Sequence, residues 1–428
     1  MGIKKLLKVL VVGSGAREHA FVWKLSRSPQ VGKIYIAPGN AGTASLGQNL
    51  PIKATDIKAL GQAAQRLNID LVVVGPEAPL ADGIVDHFQA LGLPIFGPSQ
   101  QAAQIEASKV FSHQLMEKYG LPCPRGRAFS SFQEAEEYVG GHSMPVVIKA
   151  DGLAGGKGVT VARSRQEAVN ALHHALVDKA FGQAGERVLI EECLVGREAS
   201  LLAFTDGYTV VPMMPACDYK TALDSNQGPN TGGMGSYSTP GLICQESVQK
   251  VTRSILGPAV RAMAQESRTY KGVLYAGLMF TPEGPKVLEF NCRFGDPETQ
   301  VTLPRLQSDL VEIMLAVIAG KLHEVDIAWD KKACVGVVMA SAGYPGDYQT
   351  GFPITGLDEV EPGVTIFHAG TKIENGMLKT DGGRVLTVVA QGETVPQARE
   401  RVYQNLPRIH FQGCHYRRDI AAEEETCL

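Results

Sequence analysis

The chain has 428 residues, a formal net charge of −3, 44% hydrophobic and 20% charged residues. At ~150 residues per domain this suggests roughly three globular domains, and it excludes disorder, collagen or coiled coil as whole-chain descriptions. The charge balance gives no general attraction to nucleic acid or anionic lipid.

The unusual count is 47 glycines, which cluster in loops. The eight cysteines form no C-x-x-C pair, so zinc ribbons and redox motifs are not expected. The first apolar run is too short for a signal-peptide core, and no stretch approaches the ~18 to 20 apolar residues that span a bilayer. A cytoplasmic protein with no membrane or nucleic-acid partner is expected.

In chain order, strands are predicted at 8–12, 33–37, 70–74 and 93–96, alternating with helices at 16–26, 59–67 and 82–91. Continuous Val/Leu/Ile strands between helices imply an α/β fold with a parallel sheet covered on both faces. Ligands of such sheets bind at the carboxyl ends of the strands, where Gly13-Ser14-Gly15 and Gly75-Pro76-Glu77 lie. A helix at 109–119 ends at Gly120-Leu121-Pro122, a subdomain boundary. Two strands, 146–149 and 159–162, flank a glycine-rich hairpin. A helix at 165–179, a strand at 187–191, a second glycine-rich segment at 228–235, a helix at 246–265, strands at 273–281 and 286–290 and a helix at 309–319 follow. After residue 326 strands at 333–340, 365–369 and 384–391 suggest a small β-rich domain.

Three segments point to chemistry. Gly13-Ser14-Gly15-Ala16-Arg17-Glu18 follows a strand and opens a helix, a place suited to an anion. Glu18 stands where a dinucleotide fingerprint needs its third glycine, so a single phosphate is the better expectation, with Arg17 as a charge-assisted contact. Four glycines within residues 152–158, with Lys157 among them and Lys149 on the preceding strand, suit a flap that folds over nucleotide phosphates. In Val287-Leu288-Glu289-Phe290-Asn291, alternation puts Leu288 and Phe290 on one face and Glu289 and Asn291 on the other. Two oxygen ligands on one strand suit Mg²⁺, which completes its shell with phosphates and water. The charge-dense run Arg293 to Gln300 follows at once. No Ser-His-Asp or nucleophilic cysteine arrangement stands out.

Those segments, with Gly75-Pro76-Glu77-Ala78-Pro79-Leu80 and Gly228-Pro229-Asn230-Thr231-Gly232-Gly233-Met234-Gly235, resemble the phosphoribosylamine–glycine ligases of the ATP-grasp superfamily along nearly the whole chain. The resemblance implies an N-terminal substrate-binding (pre-ATP-grasp) domain at 1–107, a two-part ATP-grasp domain at 108–325 with a flap-bearing ATP subdomain at about 123–195, and a C-terminal domain at 326–428. It implies a monomer that uses ATP, glycine and 5-phosphoribosylamine with Mg²⁺ or Mn²⁺, through an acyl phosphate. Carried onto this chain, it assigns Lys109, Lys149, Lys157, Glu191, Glu192, Leu194 and Glu198 to ATP. Glu289 and Asn291 go to the metal. Ser14, Gly15, Arg17 and Glu77 go to the ribose phosphate moiety, and Asp218, Lys220, Arg293, Gly295 and Asp296 to glycine and the acyl phosphate. Arg293, Lys149 and Asp218 are the implied catalytic groups. The family often has His-Lys-Arg after Asp218, where this chain has Tyr219-Lys220-Thr221. Another carboxylate-activating ATP-grasp ligase, or a non-catalytic nucleotide-binding regulator, are the alternative readings.

Overall fold

The computed structural model describes residues 5–154 and 158–423. The predicted N-terminal sheet is present. Its five parallel strands run in the order Gln48–Asn49, Val31–Pro38, Leu7–Gly13, Leu71–Val74, Ile95–Phe96. Leu10 and Val12 belong to one core cluster, Val9 and Val11 to another. The central strand is therefore buried on both faces, which is why it reads as an unbroken apolar run. Strand order reverses between Leu7–Gly13 and Leu71–Val74, so the carboxyl ends of both border one crevice. The helix predicted at 82–91 is present as Ile84–Ala90; a short helix that was not predicted, Glu77–Ala81, precedes it, and Gly83, with a φ of 87°, separates the two.

The middle of the chain builds two antiparallel sheets. One is ordered Gly126–Phe129, Val188–Glu192, Val146–Ala150, Val159–Ala162. Helices Phe132–Gly140 and Arg165–Leu172 cover one face, burying Ile148, Ile190, Ala135 and Leu172 together. The helix predicted to reach residue 179 leaves α geometry at Leu172, in a wide π turn over His173–Val177. The other sheet is ordered Val210–Pro212, Arg197–Thr205, Gly272–Thr281, Gly284–Asn291. Its register carries a bulge: Leu278 pairs with Val287 and Gly277 with Glu289, leaving Leu288 unpaired.

The third sheet contains Cys217–Asp218, Gly235–Ser238, Ala333–Ser341, Arg384–Gly392 and Val364–His368 in that order. It takes strands from both sides of residue 326. The C-terminal region is also less purely β than predicted. Helix Val395–Asn405, capped by Thr394, buries Val395, Ala398 and Val402 against it. Among the described residues no helix is long and apolar enough to cross a membrane.

Candidate active site

At the first crevice the chain satisfies its own loop. The Gly15 N–H donates to Glu18 Oε2 at 2.6 Å. A Cβ added at Gly75 would lie 1.9 Å from Glu18 Oε1, so the carboxylate fills the space that glycine leaves. Arg17, buried, donates to Glu18 Oε1 (2.7 Å) and to the Phe294 carbonyl (3.1 Å). The Gly15 N–H and Arg17 Nε are thus engaged by Glu18, and Arg17 Nη1 by the distant Phe294 carbonyl. Ser14 stays exposed at the helix entrance.

Arg293 ties the crevice to the metal strand. Its Nη2 lies 3.1 Å from Glu106 Oε1 and its Nε 3.4 Å from Glu77 Oε2. The Glu77 contact is an ion pair without hydrogen-bond alignment, since Nε has no hydrogen-bonded partner. Nη1 donates to the Phe294 carbonyl at 3.2 Å, and Nη2 also reaches Asn291 Oδ1 at 3.4 Å. Burial alone would weaken the guanidinium's hold on its proton, but the carboxylates of Glu106 and Glu77 outweigh it and keep it charged. Burial works against Glu77 as well, and Arg293 with Arg17 holds its carboxyl below the usual range. Glu106 goes the other way: burial pushes it up despite Arg293. Its other oxygen accepts from the Cys292 N–H at 2.7 Å. Sequence reading missed Glu106, whose only signal is a lone carboxylate on the buried side of an Ala-rich helix, Gln100–Ala107.

Two of the lysines expected to meet nucleotide phosphates, Lys149 and Lys109, are already held by the chain. Lys149 pairs with Glu191 Oε2 at 2.5 Å and donates to the Leu288 carbonyl at 2.8 Å. The bulge explains that second bond, because the unpaired residue turns its carbonyl out of the ladder. It also corrects the predicted alternation: Val287 and Phe290 enter the core, and Leu288 does not. Lys109 donates to the Gly152 carbonyl at 3.1 Å, and burial lowers its pKa. Asp151, also missed, fixes the flap base: its Oδ1 accepts from the Val110 N–H (2.8 Å) and Ser108 hydroxyl (2.8 Å), its Oδ2 from Arg187 (2.6 Å). Lys157 lies outside the described residues.

The proposed adenine hinge has less free chemistry than expected. The Glu192 carboxylate is bound by Arg125 through its N–H (2.9 Å), Nε (3.2 Å) and Nη2 (3.0 Å), and its own N–H donates to the Arg125 carbonyl. Glu191 is held by Lys149. These side chains brace the strand end that leads to half-buried Leu194. Glu198 is ion-paired with Lys220.

The positive charges of Lys220, Lys149, Lys109 and Arg293 hold the Glu289 carboxyl below the usual range against the cost of burial. Among the described residues no hydrogen bond or ion pair ties that carboxylate down. Asn291, two residues on, is buried on the same strand. Among the described residues no group of three or more His, Cys, Asp or Glu could hold a metal. A carboxylate and an amide oxygen with no sulfur or imidazole fit a hard ion that brings phosphate and water ligands, as Mg²⁺ does.

Asp218 faces this group from the third sheet. Burial raises its pKa well above the usual carboxylate range; Lys220 opposes, and Glu298, Glu198 and Glu289 add to it. Part of its side chain still meets solvent, as at the floor of a cleft. Beyond the metal strand, Asp296 accepts from Gln300 (2.7 Å) and Arg384 Nη2 (3.0 Å). A Cβ on Gly295 would lie 2.4 Å from Glu298 Oε2, so glycine lets that carboxylate fold back. Glu298 in turn accepts from the Tyr275 hydroxyl at 2.5 Å.

The geometry thus gathers the Glu289 and Asn291 oxygens, the cations Lys109, Lys149, Lys220 and Arg293, and a charged loop beside two antiparallel sheets. Residues 7–106, 107–299 and 334–423 match, in turn, the N domain, the ATP-grasp (A) domain and the C domain of phosphoribosylglycinamide synthetase. A phosphoribosylamine–glycine ligase of Vibrio cholerae serotype O1 is 51% identical over 418 residues, 97% of each chain. The chain belongs to the phosphoribosylglycinamide synthetase family. The crystal structure of a phosphoribosylamine–glycine ligase from Thermotoga maritima superposes with a TM-score of 0.85 at 33% identity, covering 97% of this chain and 100% of that one. The biotin carboxylase domain of the Hydrogenobacter thermophilus 2-oxoglutarate carboxylase reaches a TM-score of 0.72 at 16% identity, over 96% and 92% of the two chains, a likeness of fold alone. For a phosphoribosylglycinamide synthetase, the three-part α/β architecture and the ATP-dependent ligase class read from the sequence both hold. The regulator and the other carboxylate-activating ligase lose their main support.

Proposed function

We propose that this chain joins glycine to 5-phosphoribosylamine, using ATP and releasing glycinamide ribonucleotide, ADP and phosphate, in de novo purine biosynthesis. The observation that carries the reading is the joint action of the Lys220, Lys149, Lys109 and Arg293 charges on buried Glu289, in a chain whose three parts match the domains of this family. A glycine carboxylate oxygen attacks the γ-phosphorus, and the bond to the ADP oxygen breaks. The amine of phosphoribosylamine then attacks the acyl carbon; the C–N bond forms, the C–O bond to phosphate breaks, and the amine loses a proton. Such chemistry asks for positioning and charge neutralisation more than for a protein nucleophile.

Lys109 and Lys149, with Lys157 on the flap, neutralise the ATP phosphates, and the strand end at Glu191, Glu192 and Leu194 frames adenine. Arg293, clamped by Glu77 and Glu106, aims its remaining N–H at the carboxylate and the forming acyl phosphate. Asp218, Lys220, Gly295 and Asp296 shape the glycine pocket, with Ser14 and Glu77 toward the ribose. Glu198, now paired with Lys220, releases it or shares it when a ribose hydroxyl arrives. Glu289 and Asn291 would hold Mg²⁺ or Mn²⁺, which supplies Lewis-acid charge to phosphate oxygens. The working organisation is 1–107, 108–325 and 326–428, acting as a cytoplasmic monomer. The test is ADP release with each substrate left out in turn. Turnover needing ATP, glycine and phosphoribosylamine together supports the reading; folded protein that releases ADP equally well without glycine overturns it.

A further inference from the structure

The segment from Cys217 to Asn230 carries Asp218 and Lys220 into the site, yet it has almost no core of its own. Its hairpin, Thr221–Leu223 paired with Gln227–Asn230, buries only Ala222, and the whole second strand is exposed. A two-stranded hairpin of this kind is marginal in water. It is held from behind by the C-terminal tail.

Arg417 is the centre of that hold and is fully buried. Nε donates to Asp419 Oδ1 (2.8 Å) and Nη2 to Asp419 Oδ2 (2.7 Å). Nη2 also donates to Asn226 Oδ1 (3.1 Å), and Nη1 to the Thr221 hydroxyl (2.8 Å) and carbonyl (3.2 Å). All five guanidinium donors are thereby accounted for, in a fork that lysine cannot reproduce. The guanidinium also lies 4.9 Å from the centre of the Tyr219 ring. Around it, Asp419 Oδ2 accepts from the Ser225 N–H and Asp224 Oδ1 from the Arg418 N–H, each at 2.8 Å. His415 Nε2 meets the Ala222 carbonyl at 2.8 Å, and the Ala421 N–H donates to the Tyr219 hydroxyl at 3.0 Å.

The side chains sort by alternation. Tyr219 and Thr221 turn to Arg417. Asp218 and Lys220, between and before them, turn to Glu198 and Glu289. Gripping one face of an extended segment fixes where its other face points.

We propose that Arg417 is a positioning residue for the glycine pocket: it seats the 217–230 segment from the side opposite the substrate and so places Asp218 and Lys220. The proposal rests on the reading of those two residues as glycine-site groups. Arg417 touches no reacting atom, so its loss should act on glycine and not equally on every substrate.

The test uses the full chain and two variants. Arg417→Lys removes the fork. Because a buried guanidinium also stabilises the fold, Thr221→Val is the milder probe and deletes one acceptor only. Amide hydrogen exchange over 221–230 and separate KM values for glycine and ATP are measured for each. The expected result for Thr221→Val is faster exchange and a glycine KM raised roughly three- to tenfold, with the ATP KM within about twofold. In a folded Arg417→Lys the effect is larger, and the double variant adds little, because both act through one contact. Faster exchange with an unchanged glycine KM overturns the proposal, as does unchanged exchange. Equal rises for glycine and ATP would mark general structural damage and overturn it too. Failure of the underlying reading shows separately, as wild-type ADP release that does not depend on glycine.

Discussion

Arg293 joins more of the site than any other side chain, bridging Glu77 and Glu106 and reaching Asn291. A preorganised charge of this kind gives most where negative charge develops. Replacing Arg293 with Ala is expected to lower kcat by roughly 100- to 1000-fold in steady-state assays, with the fold retained. Near-normal turnover would remove it from the reaction centre. Glu289→Ala is expected to shift the Mg²⁺ requirement sharply upward; an unchanged titration would show that the ion sits elsewhere. Glu289, Asn291 and Arg293 were legible in sequence because a short strand and its next loop place them together. Glu106 was not, because its partners Cys292 and Arg293 are far along the chain. A distant partner leaves no spacing to read.

Among elements, the first loop and the metal strand each depart from their simple pattern for a local reason. In the loop, Glu18 folds back into the gap beside Gly13 and Gly75 and takes the Gly15 N–H. The missing third glycine was visible in the sequence; that the carboxylate fills the turn was not. Gly75→Ala puts a methyl group where Glu18 Oε1 lies, so the carboxylate must leave a buried position. The expected loss is about 1–3 kcal/mol of stability, seen in denaturant melts, with a raised phosphoribosylamine KM. A variant as stable as the parent would show that the turn has slack. In the strand Gly284–Asn291, strict alternation pairs Leu288 with the wrong face, because the bulge at Leu288 shifts the count by one. Bulges have no reliable sequence mark, yet this one supplies the carbonyl that Lys149 uses.

At the scale of the whole molecule, the third sheet links the parts. Asp218 sits on its edge strand, and the C-terminal Arg384 reaches across to Asp296 and the Gly232 carbonyl. Three-domain order was readable from composition and element alternation. The sharing of one sheet across residue 326 was not, since strand pairing between distant segments is a tertiary fact. The N-terminal part meets the C-terminal part at a histidine pair. The His368 N–H donates to His19 Nδ1 at 2.8 Å, which requires that nitrogen to be unprotonated. Burial lowers His19 to about 3, with His368 adding to the shift, and lowers His368 to about 4. Unfolded histidines take up protons near pH ~6.5, whereas the folded pair does not until far lower. Stability is therefore full above that pH and falls as pH drops toward the folded values. Melting temperatures should decline across this window, and more shallowly in His19→Gln. Equal slopes would mean that the pair is not what acid attacks.

In the proposed reaction ATP activates the glycine carboxylate as an acyl phosphate, which the amine then opens. This activation is tested most directly with glycine carrying oxygen-18 in its carboxylate, with ATP and phosphoribosylamine present, by mass analysis of the released phosphate. The account predicts that each phosphate formed carries a single glycine oxygen. Unlabelled phosphate, accumulating alongside glycinamide ribonucleotide, would contradict it.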